Sequence, residues 1–165
     1  GLFDAFESVD TSIGSFVGRG RDRRIELGPT DDLELELELA IDAAALRRIP
    51  AGRHVLLRGE AGNGHAVLRI VVEKTTEGVE LRPAVRGLEG AWVLGTASPL
   101  PGAVPDSITL VWRRALLGSR GSLLLSSGGE LLGWVEDEAP GPALTRLGIY
   151  GIGAGPVLTV PPGGR

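Results

Sequence analysis

Apolar and polar residues alternate with a period of two along much of this chain. The longest such run, Leu33-Glu34-Leu35-Glu36-Leu37-Glu38-Leu39-Ala40-Ile41, sets five apolar side chains on one face and three carboxylates on the other. That spacing predicts a long, half-buried strand. Leu and Glu are good helix formers, but a helix would scatter the leucines around its circumference, so the period outranks the propensity. One helical turn is predicted over residues 43–48 before Pro50 interrupts it. Residues 53–58 and 65–74 read as two strands around the segment 59–64, in which Asn63-Gly64 supplies positive φ at little cost. Residues 79–86 continue a meander, with Pro83 marking an edge or a bulge.

Further along, residues 91–97 form a short strand, and residues 98–105 make a proline-rich connection too stiff and too poor in amide donors for regular pairing. In residues 107–114, Ile108, Leu110 and Trp112 alternate with Thr109, Val111 and Arg113. Residues 122–126 and 130–136 flank Ser127-Gly128-Gly129 as a hairpin, and residues 145–152 and 156–160 close the series. About ten strands at short, regular intervals, with at most one short helix, predict an all-β, antiparallel two-sheet jelly-roll sandwich. More continuous apolar runs such as residues 67–72, interrupted only by Arg69, belong in mid-sheet.

Composition narrows the functional classes. At 165 residues the chain fits one domain. A net charge of −4, with no basic run beyond Arg19-Gly-Arg21-Asp-Arg23-Arg24, gives no footprint for a nucleic-acid backbone. No apolar run approaches the roughly 20 residues of a membrane-spanning helix. The absence of Cys excludes disulfides, thiolate metal sites and Cys nucleophiles. The absence of Met fits a mature product trimmed behind a signal peptide, or a fragment of a longer chain. Arg far outnumbers Lys, which occurs only at Lys74; Asn63 is the sole Asn and there is no Gln, a bias that fits a high-GC genome and a thermophile. Sites that read hydroxylated ligands usually use several amides and exposed aromatics, and this chain offers one amide beside three Trp, one Tyr and three Phe.

The candidate chemistry is sparse. Glu136-Asp137-Glu138 is the one cluster similar to a glycosidase carboxylate strand, but it runs straight into Ala139-Pro140-Gly141 and reads as a solvated strand end. Glu34, Glu36 and Glu38 read as a solvated face that discourages edge aggregation. Asp31, Asp32 and Asp106 fall short of a calcium ligand set. His54 and His65 have no partner at metal-binding spacing. Residues 59–64 are too short for a phosphate loop, and no Gly-x-Ser-x-Gly elbow occurs. No catalytic residue, metal or cofactor is expected. Trp92, Trp112, Trp134 and Tyr150 alternate largely with Leu, Ile and Val and are expected in the core or between sheets; a sugar platform would require one of them exposed beside polar groups.

Residues 26–155 resemble the laminin-G-like, concanavalin-A-like jelly rolls of bacterial surface and secreted proteins. The resemblance rests on the outward-charged strand at 33–41, the aromatic strand Ile108-Thr-Leu-Val-Trp112-Arg113, the hairpin Gly121-Ser-Leu-Leu-Leu-Ser-Ser-Gly-Gly129 and the strand Leu147-Gly148-Ile149-Tyr150. Ser127 stands where the family has Asp before the turn glycine, which puts a ligand role for that hairpin in doubt. The resemblance implies an extracellular or cell-surface location. A stretch similar to Phe3-Asp4-Ala5-Phe6-Glu7-Ser8 forms the last strand in some of these domains, whereas here it comes first. This divides the chain into residues 1–20, a strand and linker, and residues 21–165, the sandwich. The leading segment either folds back on its own sandwich or fills the equivalent gap in the next copy, which would propagate into a filament or array. Leu2, Phe3, Phe6, Ile13, Phe16 and Val17 are the candidate assembly residues. Burying the first three contributes about 5–9 kcal/mol at most, to be set against the entropy of association. The resulting expectation is a non-catalytic structural or adhesive subunit, with a carbohydrate-binding module as the alternative.

Overall fold

A computed structural model describes residues 7–10, 15–19, 22–27, 34–62, 64–86, 91–114, 120–137, 144–152 and 155–160. In chain order the strands are β1 (Glu7–Asp10), β2 (Ser15–Arg19), β3 (Asp22–Glu26) and β4 (Glu34–Ile41), followed by helix α1 (Ala43–Arg48). Then come β5 (Gly52–Ala61), β6 (Ala66–Thr75), β7 (Gly78–Arg86), β8 (Trp92–Leu94), β9 (Thr96–Ala97), β10 (Ser107–Arg113), β11 (Gly121–Ser127) and β12 (Glu130–Asp137). The last are β13 (Leu144–Ile149), β14 (Gly151–Ile152), β15 (Gly155–Pro156) and β16 (Leu158–Thr159). The strands form an eight-stranded sheet in the order β1-β2-β3-β13-β5-β6-β7-β8 and a six-stranded sheet in the order β16-β4-β10-β11-β12-β9. Both are antiparallel, and β14 pairs with β15 in a separate two-stranded sheet. The expected all-β jelly-roll sandwich is the architecture found.

Register and burial agree strand by strand. Across the six-stranded sheet Leu35, Trp112, Leu123 and Val135 stand in one row, and Leu37, Leu110 and Leu125 in the next. Across the eight-stranded sheet the rows Ile25-Leu147-Gly59-Leu68-Val85 and Ile149-Leu57-Ile70 point the same way. The apolar side chains of these rows pack into one core, with no polar or charged residue buried among the described residues. Interdigitation of two such faces is what holds a sandwich together. The largely apolar segment 67–72, with Arg69 on the outer face, lies on β6 between β5 and β7.

Helix α1 carries the chain from the six-stranded to the eight-stranded sheet. Asp42 caps it, its Oδ1 accepting from Ala45 N–H at 3.0 Å, and Ala45, Leu46 and Ile49 join the core. Its carboxyl end is closed by the sole lysine. Lys74 Nζ, on β6, donates to the carbonyls of Arg47 (2.6 Å) and Ile49 (2.9 Å), with Leu46 O at 3.5 Å. A cation at that end also opposes the helix dipole.

At the edge formed by β7, β8, β9 and β12 the sheets meet by backbone. The chain leaves β8 in one sheet and enters β9 in the other through Gly95, whose N–H donates to Pro83 O at 2.8 Å. A Cβ on Gly95 would stand 2.3 Å from Trp134 O, and one on Gly133 would stand 2.8 Å from Leu81 O. Stacked sheets ordinarily lie about 10 Å apart, and only glycine permits this closure. Pro83 differs from expectation: it lies on β7, between β6 and the short edge strand β8, in unbroken register with Ile70, so it marks neither an edge strand nor a bulge. The 98–105 segment makes one isolated bridge, Glu80 with Pro99. Gly128 (φ 57°) and Gly129 (φ 83°) make the two-residue turn between β11 and β12.

Two stability measurements follow. Gly95→Ala is expected to lower unfolding free energy by about 3 kcal/mol in urea titration through overpacking against backbone, whereas Gly102→Ala, with open space around its Cβ position, changes it by less than about 0.5 kcal/mol. Lys74→Met is expected to cost about 1–2 kcal/mol and to accelerate hydrogen exchange of the α1 amides more than those of β10.

Candidate functional site

With the inner rows buried, ligand chemistry can stand only on the two outer faces and the strand ends. On the six-stranded sheet the outer face reads in three rows: Glu34-Arg113-Ser122-Glu136, Glu36-Val111-Leu124-Trp134-Thr96 and Glu38-Thr109-Ser126-Leu131. Trp134 is 41% exposed and Leu131 47% exposed, and both stand at one side of the face. Toward β4 lie half-buried Val111 and Leu124, hydroxyls of Thr109, Ser122 and Ser126, and then the exposed carboxylates of Glu34, Glu36 and Glu38. The hydroxyls can each donate and accept. From Trp134 to Glu36 the row crosses three strand spacings, or about 14 Å. Exposed ion pairs rim the face: Arg113 Nη2 donates to Glu34 Oε2 at 3.0 Å, and Arg120 Nη1 to Glu136 Oε2 at 3.1 Å. Such pairs contribute little stability.

Leu131 and Trp134 share this face because of a bulge. Three residues apart, they would point to opposite sides of a regular strand. The register passes from Leu125 opposite Gly133 to Ser126 opposite Leu131, so Leu132 is an extra residue on β12 and turns into the core. The aliphatic neighbours of Trp134 predict a core position for its ring, but the bulge carries Leu132 inward and leaves Trp134 on the outer face.

Of the four rings expected in the core, Trp112 alone is buried, at 6% exposure. Trp92 and Tyr150 are half-buried on the outer side of the eight-stranded sheet, where a Cβ on Gly148 would meet Tyr150 Oη at 3.3 Å. Beside them stand Arg58 and Arg69, directly opposite each other on β5 and β6. Arg69 Cζ lies 4.0 Å and Arg86 Cζ 5.9 Å from the centre of the Trp92 ring. Burial lowers the Arg69 pKa, and the neighbouring Arg58 and Arg86 guanidinium groups lower it further, against an opposing effect of Tyr150. The sequence signal for this cluster is the set of Arg residues at outward strand positions.

Other candidates stand apart. His54 Nε2 is 2.9 Å from Pro50 O at the end of β5, and His65 lies at the β5–β6 turn, its carbonyl accepting from Ala61 N–H. Asp106 is exposed before β10. Asp31, Asp32 and Glu138 lie outside the described residues. Among the described residues no three His, Asp or Glu side chains are grouped to hold a metal ion. Leu2, Phe3, Phe6 and Ile13 also lie outside the described residues, while Phe16 and Val17 occupy β2, with Phe16 opposite Ile25 and Val17 opposite Arg24.

No family model matches this chain. No curated protein is similar to it in sequence. Among solved structures it superposes on the carbohydrate binding module CBM66 from Bacillus subtilis with 13% identity and a TM-score of 0.42, over 92% of this chain and 86% of that one. It superposes on an alginate lyase from Alteromonas sp.272 with 10% identity and a TM-score of 0.38, over 91% of this chain and 64% of that one. It also superposes on the alginate lyase from Klebsiella pneumoniae with 15% identity and a TM-score of 0.38, over 79% of this chain and 59% of that one. Among the described residues no helix is long and apolar enough to cross a membrane.

Proposed function

We propose that this chain is a non-catalytic, carbohydrate-binding β-sandwich of a secreted or surface protein, which takes a neutral glycan across the outer face of its six-stranded sheet. The observation that carries the reading is the exposure of Trp134 on a continuous sheet face, with hydroxyls and carboxylates in the adjoining rows. An indole lying open offers an apolar surface to a sugar ring, and Ser122, Ser126, Thr109, Glu36 and Glu136 supply the hydrogen-bonding groups that this amide-poor chain otherwise lacks. The acidic rim favours a neutral ligand over an acidic one.

A second reading, a structural subunit that assembles through its leading strands, is favoured by a different observation. Strand β1 is the edge of the eight-stranded sheet, and β2 alone joins it to β3. Among the described residues this hairpin is held through one neighbour, β3, and an edge strand of that kind is one that copies can exchange or extend. Leu2, Phe3, Phe6, Ile13, Phe16 and Val17 would then pack against the neighbouring copy.

Two experiments separate these readings. On a neutral glycan array followed by affinity electrophoresis, Trp134→Ala is expected to weaken binding by about 10–100-fold, equivalent to the 1.5–3 kcal/mol of covering a large apolar side chain; undiminished binding by that variant overturns the glycan reading. Light scattering of the intact chain beside Phe3→Ser/Phe6→Ser is expected to show monomers for both if the glycan reading is complete. Large particles that disappear in the double variant establish assembly instead.

A further inference from the structure

A second site lies on the opposite side of the sandwich. Like charges directly across a strand pair are destabilising, yet Arg58 and Arg69 face each other on β5 and β6, and Arg86 approaches the same Trp92 ring from β7. Among the described residues the carboxylates near Arg58 and Arg69 are shared with other arginines. Glu60 is shared, with Oε1 3.2 Å from Arg58 Nε and Oε2 3.6 Å from Arg146 Nη1. Arg58 Nε is out of line for a hydrogen bond to that carboxylate and, like Arg69 Nε, is buried with no hydrogen-bond partner. Glu73 and Glu80, farther along the face, are taken by Arg82, Glu73 also by Arg53.

The geometry points to an oxyanion site on the outer face of the eight-stranded sheet, at Arg58, Arg69 and Arg86 beside Trp92, that takes a carboxylate or sulfate group of an acidic saccharide. An oxyanion seated between the guanidinium groups relieves their mutual repulsion and accepts charge-assisted hydrogen bonds, which are the strong ones and suit the planar fork of arginine. Burial lowers the Arg69 pKa, and the neighbouring Arg58 and Arg86 guanidinium groups add to that shift. Trp92 and Tyr150, both half-buried beside the cluster, supply ring surface for the sugar that carries the group. Glu60, Glu73 and Glu80 on the same face repel a dense polyanion, so a nucleic-acid backbone is disfavoured and a ligand with spaced charges fits. The site is independent of the Trp134 face, which lies on the other sheet.

The test uses calorimetric titration of the whole chain at low salt with oligogalacturonate, a neutral oligosaccharide of equal length, and inorganic sulfate. Oligogalacturonate is expected to bind and the neutral chain to be ignored by this site, with Arg69→Gln weakening the affinity about tenfold and Arg86→Gln providing the same readout should the first variant fail to fold. Trp134→Ala is expected to leave it unchanged, which separates failure here from failure of the glycan reading above. If sulfate competes, the site reads the oxyanion itself; if it does not, the site reads a carboxylate on a sugar, and either result upholds the proposal. Absence of oligogalacturonate binding, binding that both arginine variants retain, or equal binding of a single-stranded oligonucleotide overturns it.

Discussion

Burial of two apolar sheet faces against each other fixes the phase of every long strand. The described interior holds no buried polar or charged residue, so a one-residue slip of β4 or β10 would drive Glu36 or Thr109 into it and expose Leu37 or Leu110. The cost of an unpaired buried carboxylate is large enough to forbid that slip. Everything on the outer faces is therefore placed by what its neighbours in sequence must bury. The carboxylates of β4 and the arginines of β5 and β6 point outward for one reason, although they end on opposite sides of the molecule.

This division gives the two outer faces different electrostatic characters. One collects Glu34, Glu36 and Glu38 around a line of hydroxyls and an indole; the other gathers Arg58, Arg69 and Arg86 around a second indole. The described core between the two faces is apolar and holds no charged side chain. Each face presents its own set of charges to solvent, and the two can select ligands of different charge. The closure at Gly95 and Gly133 matters to both: β8 supplies Trp92 to one face, and β12, on the other side of the close approach, supplies Trp134 to the other.

Much of the fold was legible because its strands are long and their period is unbroken. The 33–41 alternation, the strand at 107–114 and the hairpin turns needed nothing beyond spacing and turn chemistry, and Pro50 marked the stop of the short helix. The site was less legible, and β12 shows why. One extra residue at Leu132 reverses the relation between neighbours in sequence and neighbours in space, so a tryptophan flanked at two positions by an aliphatic residue ends outside. Bulges leave no mark in hydropathy. The arginine cluster escaped notice for another reason: Arg58, Arg69 and Arg86 are far apart in the chain, and strand register alone brings them together. The meeting of β7 with β12 was hidden too, since a glycine needed for close approach reads in sequence like any turn glycine.

The concentration of lysine at a single position has a practical side. The ε-amine of Lys74 is already committed to the carbonyls at the end of α1. Acylating that amine would strip its charge and donors, so succinimide-ester dyes and amine-coupled sensor surfaces would act on the seam where the helix docks and leave both tryptophan faces untouched. Attachment chemistry for this protein is better directed at an introduced thiol, for which a chain without cysteine offers a clean background.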